Sequence, residues 1–223
     1  MAAYAGGRAR ISGLVADLDE QKAATVVPGC PEWTVKDVVA HVTGICSDIL
    51  AGNIDGVATD PWTAVQVDAR RPLSVSRIVA EWSELGPQIE AMLPSFPPEP
   101  AAQLVADLTT HEHDVRGALG RPGARDSDAL AIGLAFVAPN FLTALAGRGL
   151  PALSLRAGDS EWVADGTRPG ASVSADRFEL FRALTGRRSA SQLRQLTWDG
   201  DPEPYLPAFD WGPFHVAVAD VVE

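Results

Sequence analysis

Thr34 to Gly52 reads TVKDVVAHVTGICSDILAG, and this stretch decides the fold class. Val35, Val38, Val42, Ile45 and Ile49 recur at helical spacing and form one apolar stripe. Thr34 can accept a hydrogen bond from the free N–H groups of the first turn while Asp37 reaches back to Thr34, which is a capping box. Gly52 stands where a helix closes on a left-handed residue. His41 lies on the apolar stripe, so its imidazole enters a core and needs a partner there, since burying an unpaired polar group costs about 1 to 3 kcal/mol.

Working outward, the flanking segments are also helical. Ile11, Leu14, Val15 and Leu18 give an amphipathic helix before the quoted one, with Arg8 and Arg10 at its start and a turn at Val27-Pro28-Gly29. Val75 to Leu93 predicts another, with Ile78, Trp82, Leu85, Ile89 and Met92 on one side and a kink at Pro87. Prolines 94, 97, 98 and 100 force a connection, after which a helix runs from about Ala101 to Leu119 and ends at Gly120. A fifth begins near Ser127 and continues to Gly147; it is apolar enough to raise the question of a membrane, but its Ala, Gly, Pro139, Asn140 and Thr143 fit a buried helix better. Helices of this length with short connections predict an up-and-down four-helix bundle over residues 1–150.

Beyond Leu150-Pro151 the period changes. Leu153 and Leu155 alternate with polar residues, Gly158-Asp159 makes a turn before Trp162 and Val163, and Val173 sits between serines, which predicts a small sheet. Phe178, Phe181 and Leu184 mark a helix ended by Gly186, and Ser189 with Gln192 makes a second capping box. The expectation is an α+β protein: a helical bundle over 1–150 and a small α/β domain over 151–223.

Four histidines occur. His111 repeats the placement of His41, between Leu108 and Val115, and Asp107 stands one turn before it, so the two side chains leave their helix in one direction. Asp107, His111 and a histidine from a facing helix would supply three N/O donors with a position left open, the pattern of a catalytic zinc site; nickel, iron or manganese would accept the same donors. The plainer alternative is that Asp107 only orients His111. His113 is expected half exposed, and Asp114 is placed to accept the second ring N–H of His111. His215 has no patterned partner. Cys30 reads as a small hydrophobe rather than a nucleophile. Arg182, Arg187 and Arg188 cluster near a helix end, where they serve the macrodipole and solvent or else bind a carboxylate substrate.

Composition narrows the field further. The 223 residues carry a formal charge of −11, which argues against sequence-independent binding to nucleic acid or to anionic membranes. Two cysteines and a start without a secretory pattern predict a cytoplasmic protein. Phosphate loops, dinucleotide fingerprints, H-E-x-x-H and nucleophile elbows are absent from the sequence, so those chemistries lose their signals.

Three segments, VPGCPEWTVKDVVAHVTG (27–44), DLTTHEHDVRGALG (107–120) and LFRALTGRRSASQLRQLTWDGDP (180–202), together resemble the mycothiol-dependent maleylpyruvate isomerase family of actinobacteria. The resemblance implies a DinB-like four-helix bundle that binds a divalent metal, followed by a small domain similar to sterol carrier proteins. It places the ligands on His41, Asp107 and His111, with zinc as the ion and mycothiol as the thiol co-substrate. Two positions depart from the family: its acidic ligand is usually Glu, one methylene longer than Asp107, and an aromatic residue is common where His113 stands. It also implies a catalytic arginine in the second domain, which aligns with none of Arg182, Arg187 and Arg188 in particular. The expected function is a thiol-dependent isomerase or S-transferase on a small electrophilic or unsaturated acid, as a monomer or homodimer. The alternatives are a non-catalytic module for a small apolar ligand and a metal site kept for stability.

Overall fold

The capping box at Thr34 and Asp37 forms as the sequence dictates, with the Thr34 hydroxyl accepting from the Asp37 N–H and the Asp37 carboxylate accepting from the Thr34 N–H. The helix it starts, α3 (Val35–Ala51), closes on Gly52 at φ 72°. The structure is a computed structural model and describes residues 2–164 and 168–223. In the first part of the chain the other elements are α1 (Ala2–Val15), α2 (Glu20–Ala23), β1 (Val26–Val27), β2 (Cys30–Thr34), α4 (Asp60–Arg70), α5 (Val75–Met92) and α6 (Pro98–Leu119).

Four long helices make a bundle in which α3 lies against α5 and α6, and α1 against the same two. Ile11, Val15, Val38, Val42, Ile78, Trp82, Ile89, Leu108 and Val115 are buried between them. A carboxylate ties two of the helices: Glu112 on α6 is fully buried, and it accepts two hydrogen bonds of 2.7 Å from Arg10 on α1 and one of 2.9 Å from Arg116. The expected turn at 27–29 is the tip of an antiparallel hairpin, with Val26 opposite Thr34 and Val27 opposite Cys30, which delivers the chain to the start of α3.

The chain divides into two compact units, one ending at Gly123 and joined by Glu223, the other spanning Ala124–Val222. The division therefore falls well before the expected boundary at 150, and the helix α7 (Asp128–Ala146) belongs to the second unit. The reason is its packing. The apolar stripe of Leu130, Leu134, Val137, Phe141 and Leu145 is buried, and α7 packs on α8 (Arg177–Leu184), with the Phe141 ring tilted against Phe209 at 4.9 Å between centroids. By length and composition alone α7 would cross a membrane; half of it is buried inside the protein.

The rest of the second unit is a four-stranded sheet in the order β4 (Ser160–Trp162), β3 (Leu153–Ala157), β5 (Ala171–Ser174), β6 (Thr197–Asp199). The central pair, β3 and β5, is parallel, and both edges are antiparallel. The short helix α9 (Ala190–Arg194) starts with the expected Ser189 and Gln192 capping box.

Candidate metal centre

α3 and α6 face each other in the bundle, and each turns one imidazole toward the other. His41 and His111 are both buried, with ring centroids 5.0 Å apart and edge-to-face. Asp107, one turn before His111, brings Oδ1 to 3.6 Å from Nε2 of His41 and 3.6 Å from Nε2 of His111. Donor atoms of the three residues lie within 4.8 Å of one another. Bonds of about 2.1 Å at a tetrahedral angle set neighbouring donors roughly 3.4 Å apart, so the Asp side chain reaches without a shift of its helix.

The far side of each ring is held. Gln66 on α4 gives its Nε2 to the Asp48 carboxylate at 2.7 Å, which leaves its Oε1 to accept from Nδ1 of His41 at 2.8 Å. Asp114 accepts from Nδ1 of His111 at 3.1 Å. A proton on Nδ1 of each ring matches these two partners and turns Nε2 toward Asp107, the arrangement that partners behind metal-bound imidazoles enforce. Trp33, at the end of β2, stacks on His111 at 5.6 Å and tilts against His41 at 5.1 Å, so neither ring is free to turn. The plainer reading, in which Asp107 merely orients His111, loses its basis because Asp114 does that work.

The remaining candidates fall elsewhere. His113 is buried at 2% exposure, not half exposed, because α6 is enclosed on several sides along its middle turns. Cys30 donates toward Asp114 at 3.8 Å, while His215 is exposed and pairs with Asp210. Cys46 is buried beside the Tyr4 hydroxyl at 3.3 Å, and burial pushes both the thiol and the phenol above their usual values. The arginine cluster lies in the second unit, where Arg182 and Arg188 are buried instead of meeting solvent. Arg188 forks the Glu179 carboxylate at 2.7 and 2.8 Å, so a substrate carboxylate would have to displace Glu179; Arg187 donates to the Thr185 carbonyl. Sequence reading missed Gln66 and Asp48 and gave Trp33 no role. Trp33 lies in a quoted motif and was within reach, whereas nothing periodic marked Gln66.

Residues 4–122, which nearly coincide with the first unit, match the family model for the mycothiol maleylpyruvate isomerase N-terminal domain. The chain belongs to that family. Two solved structures share its fold over most of their length. One is a histidine-to-alanine variant of the mycothiol-dependent maleylpyruvate isomerase, at 12% identity and a TM-score of 0.62, covering 88% of this chain and 90% of that one. The other is described as the mycothiol-dependent maleylpyruvate isomerase, at 15% identity and a TM-score of 0.54, covering 83% and 87%. The fold likeness thus extends past the family match into the second unit. No protein of curated function matches the chain.

Proposed function

We propose that this chain is a divalent-metal-dependent, mycothiol-dependent isomerase or S-transferase, in which the thiol adds to a conjugated double bond or displaces a leaving group of a small acid. The single observation that carries the reading is the convergence of His41 Nε2, His111 Nε2 and Asp107 Oδ1, with the oxygen 3.6 Å from each nitrogen. Two imidazole nitrogens and a carboxylate oxygen aimed at one point make a donor set for a cation. His41, His111 and Asp107 would hold the ion, and two nitrogens with one oxygen suit zinc, with nickel, iron or manganese accepting the same donors. When bound, the ion supplies the Lewis acidity that keeps a thiol ionised at neutral pH.

The chain's own residues do the positioning. Gln66 and Asp114 keep the ring protons on Nδ1, Asp107 contributes the balancing charge, and Trp33 shields one side of both rings. Burial raises the Cys46 thiol away from ionisation, so Cys46 is a poor source of thiolate.

The test is elemental analysis of protein purified without chelator, paired with an assay of maleylpyruvate isomerisation with and without mycothiol. The expected result is near one equivalent of divalent metal and turnover that needs both metal and thiol. Less than about a tenth of an equivalent, with His41→Ala changing nothing, would instead identify a binding module. Metal whose removal lowers the melting temperature, with no thiol turnover in either state, would identify a site kept for stability.

A further inference from the structure

The two imidazoles of the centre are held by different chemistry. His111 is backed by a carboxylate, which can only accept, so its Nδ1 proton is compulsory. His41 is backed by an amide, and an amide can offer either its oxygen or its NH2. What decides the matter is the next group out: Asp48 can only accept, so it takes the Gln66 NH2 at 2.7 Å and turns Oε1 toward His41. Asp48 is itself fixed by Asn53, which donates to its other oxygen at 2.9 Å.

The approach of α4 that makes this relay possible depends on Gly44, one helical turn beyond His41 on α3. A Cβ at Gly44 would stand 2.4 Å from Cβ and 2.7 Å from Cγ of Gln66, and 3.0 Å from Nη1 of Arg70. No side chain fits there without moving α4 outward. Arg70 in turn ties α4 to α5 by forking Glu81, while a second N–H group closes back on the Gln66 carbonyl of its own helix at 3.2 Å.

We propose that Gln66, oriented by Asp48 and admitted by Gly44, is the positioning residue that selects the Nδ1-protonated tautomer of His41 and so delivers its Nε2 lone pair to the centre. The inference rests on the metal-site reading for its consequence, but not for its geometry. A cleft of about 270 Å3 lined by Asp48, Gln66, Arg70 and Glu81 opens beside the relay, so water can replace a truncated side chain. Gln66→Met is therefore the variant of choice, because it fills the space and offers no oxygen. Asp48→Asn leaves Gln66 in place but removes the compulsion on its amide.

The experiment is long-range 1H–15N correlation of the histidine rings in the metal-free full chain at about pH 8, above the imidazole range, together with zinc affinity by chelator competition. Wild type is expected to show His41 protonated at Nδ1. Gln66→Met should populate the Nε2-protonated form and weaken zinc by about 10- to 100-fold, the usual cost of losing an outer partner. Asp48→Asn should shift the tautomer in the same direction while the His111 ring stays unchanged, a signature that a packing role alone would not produce. Retention of the Nδ1 tautomer in both variants overturns the proposal even if zinc binds. A tautomer shift in a protein that binds no zinc upholds it while overturning the metal reading.

Discussion

Asp107 limits the metal centre, because it is the shortest donor and the most exposed, with 32% of its side chain accessible against 6% and 9% for the two imidazoles. Its oxygen already stands close to the donor spacing that a bound ion wants. Asp107→Glu therefore overshoots, and zinc affinity measured by competition should fall about tenfold, whereas Asp107→Ala should cost more than about 100-fold, beyond the effect of any outer partner. Glu112, five residues on, makes a contrast: it is fully buried between Arg10 and Arg116 and takes no part in the cluster. Glu112→Gln leaves two guanidinium groups facing a neutral amide and should destabilise by about 2 to 4 kcal/mol in urea titration, with zinc affinity unchanged. At this scale the sequence was readable where spacing carries the information. Asp107 and His111 are one turn apart, and that periodicity is visible in one dimension. The meeting of His41 with them across the bundle came from likeness to a family, and the Gln66 contact spans 25 residues with no period at all.

Among the elements, α3 was the most legible because its start, stripe and stop each leave a chemical mark. Thr34→Ala removes the acceptor for the Asp37 N–H and should lower stability by about 1 kcal/mol, read as a shift in the urea midpoint at constant slope. The neighbouring α4 left no such mark. Its buried side chains are Gln66, Val67 and Arg70, two polar residues and one apolar, so hydrophobic periodicity finds nothing to count. α7 was legible as a helix and misplaced as a member of the first bundle. Its apolar stripe states that it is buried but not against what, and only the contact with α8 and with Phe209 assigns it to the second unit. The connection after α5 holds Pro94 and Pro97, but α6 already starts at Pro98, so Pro98 and Pro100 sit in its first turn, where a missing N–H costs nothing, and not in the connection. The β1–β2 hairpin was too short for alternation to show.

For the molecule as a whole, the formal charge of −11 means that acidification relieves repulsion between carboxylates in general, a stabilising trend as pH falls from neutrality. Glu179 runs against it. Its carboxyl is held below the ordinary glutamate range, chiefly by the hydrogen bonds from Arg188. A group with a lowered folded-state pKa binds its proton later in the folded than in the unfolded chain. Its stabilising contribution is therefore complete above the ordinary glutamate value of about 4.3 and disappears as pH falls through the lowered folded value. Because the Glu179 side chain is 36% accessible, solvent screens the pair and the contribution should stay near or below about 1 kcal/mol. Urea titrations of wild type and Glu179→Gln across the acid range measure it as a difference. The gap between the two should be widest above about pH 5 and close as pH falls through the lowered folded value, where wild-type Glu179 also takes up its proton. A gap that stays constant over that range would mean that Arg188 holds Glu179 by shape and hydrogen bonding, with no dependence on its charge.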